Sequence, residues 1–341
     1  MLVERLTLSG QFLALSRFEP QLFNQPIEFV LANGVTVNIS SPGVIQFTPA
    51  STSLKDIVLS CGVHGNETAP IEICDDLVSQ ILRLELSPQH RLLVIFANLP
   101  SMDIEKRFVE ENLNRLFSGA HFSSASEQNL ERQRAKELEQ AVANFYTQGN
   151  ESAQRLHYDL HTAIRASKND KFAVYPFLHG KQHSLEQLAF LYACGVNTFL
   201  LSESPTTTFS YYSSRQFGAH AFTVELGKVQ RFGENDMSKF VAVKETLTAL
   251  IANKELKLPE FSPQKCFIYR VNQVINKHQA DFKLHFDSDT PNFTDFEKGH
   301  LLASETGAQY RCEFDNEAIV FPNENVAIGQ RALLTVVATK I

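Results

Sequence analysis

His64 and Glu67 stand three residues apart in Gly62-Val63-His64-Gly65-Asn66-Glu67-Thr68-Ala69-Pro70. Imidazole nitrogen and carboxylate oxygen are zinc ligands, and a hydrolytic zinc site uses three protein ligands with one position left for water. An H-x-x-E pair alone arises often by chance, so its weight depends on its setting and on a third donor. The apolar run 56–61 before it reads as a buried parallel strand. Behind it, Cys74, Leu77, Val78 and Ile81 keep the i, i+3, i+4, i+7 rhythm of an amphipathic helix. His64 and Glu67 therefore fall on a strand-to-helix turn, where open α/β sheets bind ligands. Gly62 and Gly65 allow a sharp turn, Thr68 or Asn66 can cap the helix, and Pro70 suits its first turn.

The candidate third ligand is His161, at the end of the strand-like run 156–161, which can converge on the same sheet edge. His157 competes with it, four residues earlier on the same strand face. Asp159 shares that face and could accept the other ring N–H of a metal-bound histidine. Glu225 lies near the end of the apolar run 222–226. A carboxylate is costly to bury unpaired; beside a metal it suits a general base, and otherwise it is an exposed strand end. Arg107, Asn114, Arg115 and Arg165 occupy loops or turns next to these strands. A guanidinium fork binds carboxylate bidentately. Singly, each arginine reads as a solvated charge, whereas Asn114 beside Arg115 can grip a carboxylate and a neighbouring polar group.

The elements that must position these groups alternate. A helix at 8–18 and a hairpin of 35–39 with 44–47 lead in. Strand 56–61, helix 68–86 and strand 91–97 follow, then a polar loop and a helix at 127–147. Beyond strand 156–161 come helix 184–194, strands 196–201 and 221–226, and helix 235–254. This pattern predicts an α/β fold with a mostly parallel twisted sheet flanked by helices. Two prolines and mixed charge mark 256–264. Past it, 266–274, 282–286, 310–314, 318–321 and 332–338 read as short strands. The expected division is a hydrolase domain at 1–256 and a smaller β-rich C-terminal domain at 257–341.

The 341 residues carry a formal net charge of -7, with 43% hydrophobic and 20% charged residues. That composition fits a globular chain with a sizeable core. Without a basic block, nucleic acid is not an expected partner, while a few local arginines suffice for an anionic small molecule. Five cysteines, 61, 74, 194, 266 and 312, show no paired spacing and read as reduced thiols. No leader-like or membrane-spanning run occurs, so the expectation is a cytoplasmic protein, with a homo-oligomer open.

His64-x-x-Glu67, Asn114-Arg115, Asp159-x-His161 and Glu225 occur in the order and spacing of the zinc carboxypeptidase superfamily. Within it the chain resembles the succinylglutamate desuccinylase/aspartoacylase branch. Residues 62–70, Asn112-Leu113-Asn114-Arg115-Leu116-Phe117 and Asp159-Leu160-His161-Thr162-Ala163-Ile164-Arg165 are similar to the desuccinylases, over nearly the whole chain. The resemblance implies one Zn2+ per chain on His64, Glu67 and His161, which favours His161 over His157. It implies Glu225 as general base and acid, Asn114 and Arg115 on a substrate carboxylate, and Arg107 as a further substrate-binding arginine. Arg165, where aspartoacylase-like sequences differ, would read the succinyl end. The implied reaction is hydrolysis of N-succinyl-L-glutamate to succinate and L-glutamate, closing a succinyl-transfer route of arginine catabolism. An aspartoacylase-like or broader N-acyl amino acid deacylase is the alternative, and a non-catalytic zinc-binding interaction protein the distant one. In aspartoacylases a tail tyrosine enters the site; here the tail motif Val320-Phe321-Pro322-Asn323 has phenylalanine.

Overall fold

The computed structural model describes residues 2–122, 129–253 and 255–341. Two helices, α1 (Leu2–Ser9) and α2 (Phe12–Phe18), open the chain in place of the single helix expected at 8–18. Gly10 divides them at φ +69°, which a right-handed helix does not accommodate. Strand β1 (Ile27–Val30) then pairs with the expected hairpin, β2 (Thr36–Ser41) and β3 (Val44–Thr48).

Next come β4 (Lys55–Cys61), α3 (Thr68–Leu82), β5 (Arg91–Phe96), the short α4 (Leu99–Asp103), α5 (Leu130–Thr147) and β6 (Gln154–Ala163). They are followed by β7 (Phe172–Tyr175), α6 (Leu185–Ala193), β8 (Thr198–Leu201), α7 (Phe209–Phe217), β9 (His220–Lys228) and α8 (Val241–Ala252). The expected helix positions 127, 128 and 254 lie outside the described residues. The tail supplies β10 (Phe267–Asn276), β11 (Lys283–Leu284), β12 (Asp295–Phe296), β13 (Leu301–Glu305), β14 (Ala308–Arg311), β15 (Glu317–Val320) and β16 (Arg331–Ala338). Among the described residues, no helix is long and apolar enough to cross a membrane.

Thirteen strands form one sheet in the order β1-β2-β3-β5-β4-β6-β9-β7-β8-β10-β16-β15-β12, and β11, β13 and β14 form a second. The expectation of a mostly parallel sheet needs correction. Five neighbouring pairs are parallel, β4 with β5, β4 with β6, β6 with β9, β7 with β8 and β8 with β10. The other seven are antiparallel. Parallel pairing needs a long crossover such as α3, whereas β1–β3 and most of the tail strands close as hairpins and meanders, and β3 and β7 enter the sheet antiparallel to β5 and β9.

Side-chain alternation divides the two faces of the parallel centre. Ile57, Leu59 and Cys61 of β4, Leu156, Tyr158 and Leu160 of β6, and Phe222, Val224 and Leu226 of β9 join one buried cluster. That cluster also takes Leu77, Val78 and Ile81 of α3, Leu188 of α6 and Leu247 of α8. With a strand period of two, the intervening residues face the opposite side, where α5 and α7 pack around Val58. Those residues are Ser60, then His157, Asp159 and His161, then Thr223 and Glu225. Register aligns Ser60 with Asp159, Asp159 with Thr223, and His161 with Glu225. A polar file thus crosses three parallel strands near their carboxyl ends. The chain leaves β4 toward β5 on one side while β6 lies on the other, the switch point at which such sheets form a crevice.

Candidate active site

Gly62 turns the chain out of β4 at φ +63°. Gly65 passes so close to α4 that a Cβ there would lie 2.2 Å from the Ser101 carbonyl carbon. Glu67 occupies the residue before α3 without making a side-chain cap bond. The expected caps are not made either. Thr68 Oγ1 donates to the Gln230 carbonyl at 2.9 Å, and the buried Asn66 Oδ1 finds no partner among the described residues. The turn instead delivers the Glu67 carboxylate between two imidazoles.

His64 Nδ1 lies 2.8 Å from Glu67 Oε1, and His161 Nδ1 lies 2.8 Å from Glu67 Oε2. All three side chains are buried, and one ligand atom from each falls within 4.8 Å of the others. Their outer ring nitrogens are also engaged. His161 Nε2 faces Asp159 Oδ2 at 2.9 Å, and His64 Nε2 faces Asn112 Oδ1 at 3.0 Å. Asn112 Oδ1 also accepts from the Asn114 N–H at 3.0 Å, which fixes it as the oxygen. Each Nε2 must therefore carry the proton, and each Nδ1 then turns a lone pair toward an anionic oxygen. Two such contacts need two added protons or one divalent cation. The donor set, two imidazoles and a carboxylate, suits zinc. Burial lowers the His64 imidazole to about 4, helped by Arg107. Burial acts the same way on His161, but the Asp159 and Glu67 carboxylates hold it well above its ordinary value.

His157 does not reach this group. About four residues of strand, or roughly 13 Å, separate it from His161 along β6. It completes a directed chain of hydrogen bonds behind the site. Ser213 Oγ on α7 donates to His157 Nδ1 at 2.7 Å, and His157 Nε2 donates to Ser60 Oγ at 2.8 Å. Ser60 Oγ donates to Asp159 Oδ1, whose other oxygen takes the His161 Nε2 proton. Every direction follows from Asp159, which can only accept.

Glu225 sits opposite His161 in the β6–β9 ladder and is buried. Its Oε2 has no hydrogen-bond partner among the described residues. Burial, reinforced by the neighbouring Glu67 charge, pushes it up to about 7. It is a carboxylate poised to hold or release a proton near neutrality.

A cavity of about 1270 Å³ opens over these groups, lined by His64, Glu67, His161 and Glu225 together with Arg107, Asn114, Arg115 and Arg165. Arg107 Nη1 donates to Glu67 Oε1 at 2.8 Å, and Asn114 Oδ1 accepts from the Phe209 N–H. Arg115 Nη1 donates to the Asn114 carbonyl at 2.9 Å. Arg165 has its two Nη atoms on tail carbonyls, Thr290 at 2.9 Å and Pro322 at 3.2 Å. The tail also lines the cavity, through Asn292, Phe321 and Arg331 among others. Sequence reasoning passed over Arg331, which reads as the polar edge of the apolar strand 332–338. Phe321 does reach the cavity, with the Arg331 guanidinium 5.4 Å above its ring.

Comparison with known proteins decides the family. The succinylglutamate desuccinylase/aspartoacylase catalytic domain matches residues 53–251, and the AstE/AspA barrel-sandwich hybrid domain matches residues 264–339. The chain belongs to the succinylglutamate desuccinylase/aspartoacylase family. A relative from Pseudoalteromonas atlantica, named succinylglutamate desuccinylase, is 62% identical over all of this chain and 97% of its own. Another of that name, from Idiomarina loihiensis, is 52% identical over 96% of each chain. The crystal structure of the succinylglutamate desuccinylase from Chromobacterium violaceum superposes with a TM-score of 0.85 at 38% identity, covering 97% of this chain and 98% of that one. Family membership makes this chain a hydrolase and accounts for the resemblance seen in its motifs.

Proposed function

We propose that the protein hydrolyses N-succinyl-L-glutamate to succinate and L-glutamate, as the last step of a succinyl-transfer route of arginine catabolism in the cytoplasm. The carrying observation is the buried His64–Glu67–His161 group beside Glu225, whose Oε2 has no partner among the described residues, in a chain 62% identical to a relative named for this reaction. Residues 1–256 form the hydrolase part and 257–341 the tail part in this reading.

His64, Glu67 and His161 hold one zinc ion, with Asp159 orienting His161. When bound, zinc supplies the Lewis acidity that activates water and polarises the amide carbonyl. Glu225 accepts the proton of the attacking water at Oε2 and returns it to the leaving glutamate nitrogen. Asn114 and Arg115 hold a substrate carboxylate in the cavity, and Arg107 balances charge between Glu67 and the substrate. Arg165, expected to read the succinyl end, acts through the tail loops that its Nη atoms hold.

The test is glutamate release from N-succinyl-L-glutamate, with chelator and with zinc restored. Release that chelator abolishes and zinc restores supports the reading. Faster release from N-acetyl-L-aspartate would move the substrate to the aspartoacylase side, and metal binding without hydrolysis of either would leave a zinc-binding protein only.

A further inference from the structure

The tail side of the cavity is rich in donors that lack acceptors. Arg331, the first residue of β16, lines the cavity with His64, Glu67 and His161, and its buried Nε has no hydrogen-bond partner among the described residues. Asn292 lines the same wall at 1% exposure, and its Nδ2 is likewise buried without a partner. Its Oδ1 is fixed because it accepts from the Phe321 N–H at 2.9 Å. That bond holds Phe321 at φ +54°, under the Arg331 guanidinium. Two orphan N–H donors on one wall, one of them cationic, call for an acceptor, and leaving such groups unsatisfied is costly.

The surrounding charges point the same way. Burial and the nearby Arg107 hold Arg331 down to about 10, with Glu225 opposing. Burial, then Arg331 and Arg107, lower Arg115 well below its ordinary value. Of the carboxylates on the cavity wall, Glu67 is held by Arg107, Glu111 by Arg132, and Glu324 Oε2 accepts from the Leu284 N–H, while the Glu225 charge favours the Arg331 cation. The guanidinium of Arg331 thus shares the cavity with the Arg107 and Arg115 guanidinium groups, with Glu225 as counter-charge, while Asn292 on the same wall offers another donor. An anionic ligand relieves both the repulsion and the missing acceptor.

We propose that Arg331 and Asn292 bind a substrate carboxylate from the tail wall of the cavity, beside Asn114–Arg115. It deepens the functional reading above, since N-succinyl-L-glutamate carries three carboxylates, but it requires only that a carboxylate ligand binds. Phe321 is the platform that sets the guanidinium. The tail therefore completes the substrate site.

The experiment measures binding of succinate and of L-glutamate to the zinc-loaded full chain by calorimetry, alongside kcat and KM for N-succinyl-L-glutamate. Arg331→Met keeps an apolar stem over Phe321 and removes the charge; Arg331→Lys keeps the charge without the fork; Asn292→Ala removes the amide. The expected result for Arg331→Met is a roughly 10- to 100-fold loss of affinity for one of the two products, as for a charge-assisted hydrogen bond. KM rises by a similar factor, the melting temperature stays near the parent's, and Arg331→Lys recovers part of the loss. Which product is lost tells which end of the substrate the site takes. Unchanged affinity for both products would overturn the site, and so would an equal loss of both with a lowered melting temperature. Should the parent hydrolyse nothing yet bind succinate in a way that Arg331→Met weakens, the reaction assignment fails while the site stands.

Discussion

Ser60 Oγ donates to Asp159 Oδ1 at 2.5 Å from directly across the β4–β6 ladder, and the same carboxylate holds the His161 imidazole. The serine therefore fixes the carboxylate rotamer that in turn fixes the ring. Ser60→Ala should lower zinc affinity about 10- to 100-fold, the usual cost of removing an outer-shell partner. His157→Gln, which can keep the donor to Ser60, should lose less than His157→Phe. Chelator competition measures both, and affinity unchanged in Ser60→Ala would leave Asp159 self-sufficient.

Glu225→Gln should keep zinc and lose about 10²- to 10⁴-fold in kcat, the range for a missing general base. The acid limb of kcat/KM follows from the same carboxylate. Burial and the Glu67 charge raise it to about 7, and a bound cation draws it down, so the limb should fall below pH 7. The base works only when ionised, so activity drops as pH falls through that limb. A limb that stays in place in Glu225→Gln would assign it to another group.

Asp75 offers a stability test away from the site. Burial, with the adjacent Asp76 charge, raises it from 3.8 to about 6, and its Oδ1 has no partner among the described residues. A raised folded-state value means that the native protein binds the proton more tightly. The resulting stability is full below about pH 4 and is lost as pH climbs through 6. Asp75→Asn should therefore stabilise by about 1–3 kcal/mol at pH 8 and by little at pH 4. Equal melting shifts at the two pH values would count against this.

Arg165→Ala should lower the melting temperature and raise KM for N-succinyl and N-acetyl glutamate by similar factors. Its Nη atoms are bonded to the Thr290 and Pro322 carbonyls, so the loss acts through the loop. A selective loss of the succinyl substrate would instead restore Arg165 as a direct reader.

The strand ends and the four chemical motifs were legible because buried parallel strands write continuous apolar runs, and the motifs follow them at the turns. Other parts were not. Helix α7 is built from Phe-Ser-Tyr-Tyr-Ser-Ser-Arg-Gln-Phe, mostly weak helix formers held by the Thr208 cap and by Gly218 at φ +64°. Strand β7 has only four residues. The choice between His157 and His161 turned on depth along one strand face, which periodicity does not report. Arg331 escaped notice because its neighbours across the cavity, Arg107 and Glu225, lie far away in sequence.

The tail joins the rest through a shared ladder, Phe267–Arg270 running parallel to Thr198–Leu201. Its consequence is mechanical: heat or denaturant should melt both halves in one cooperative transition. A chain cut ahead of residue 264 would leave β8 with a bare row of N–H and C=O groups, an adhesive edge that invites self-association.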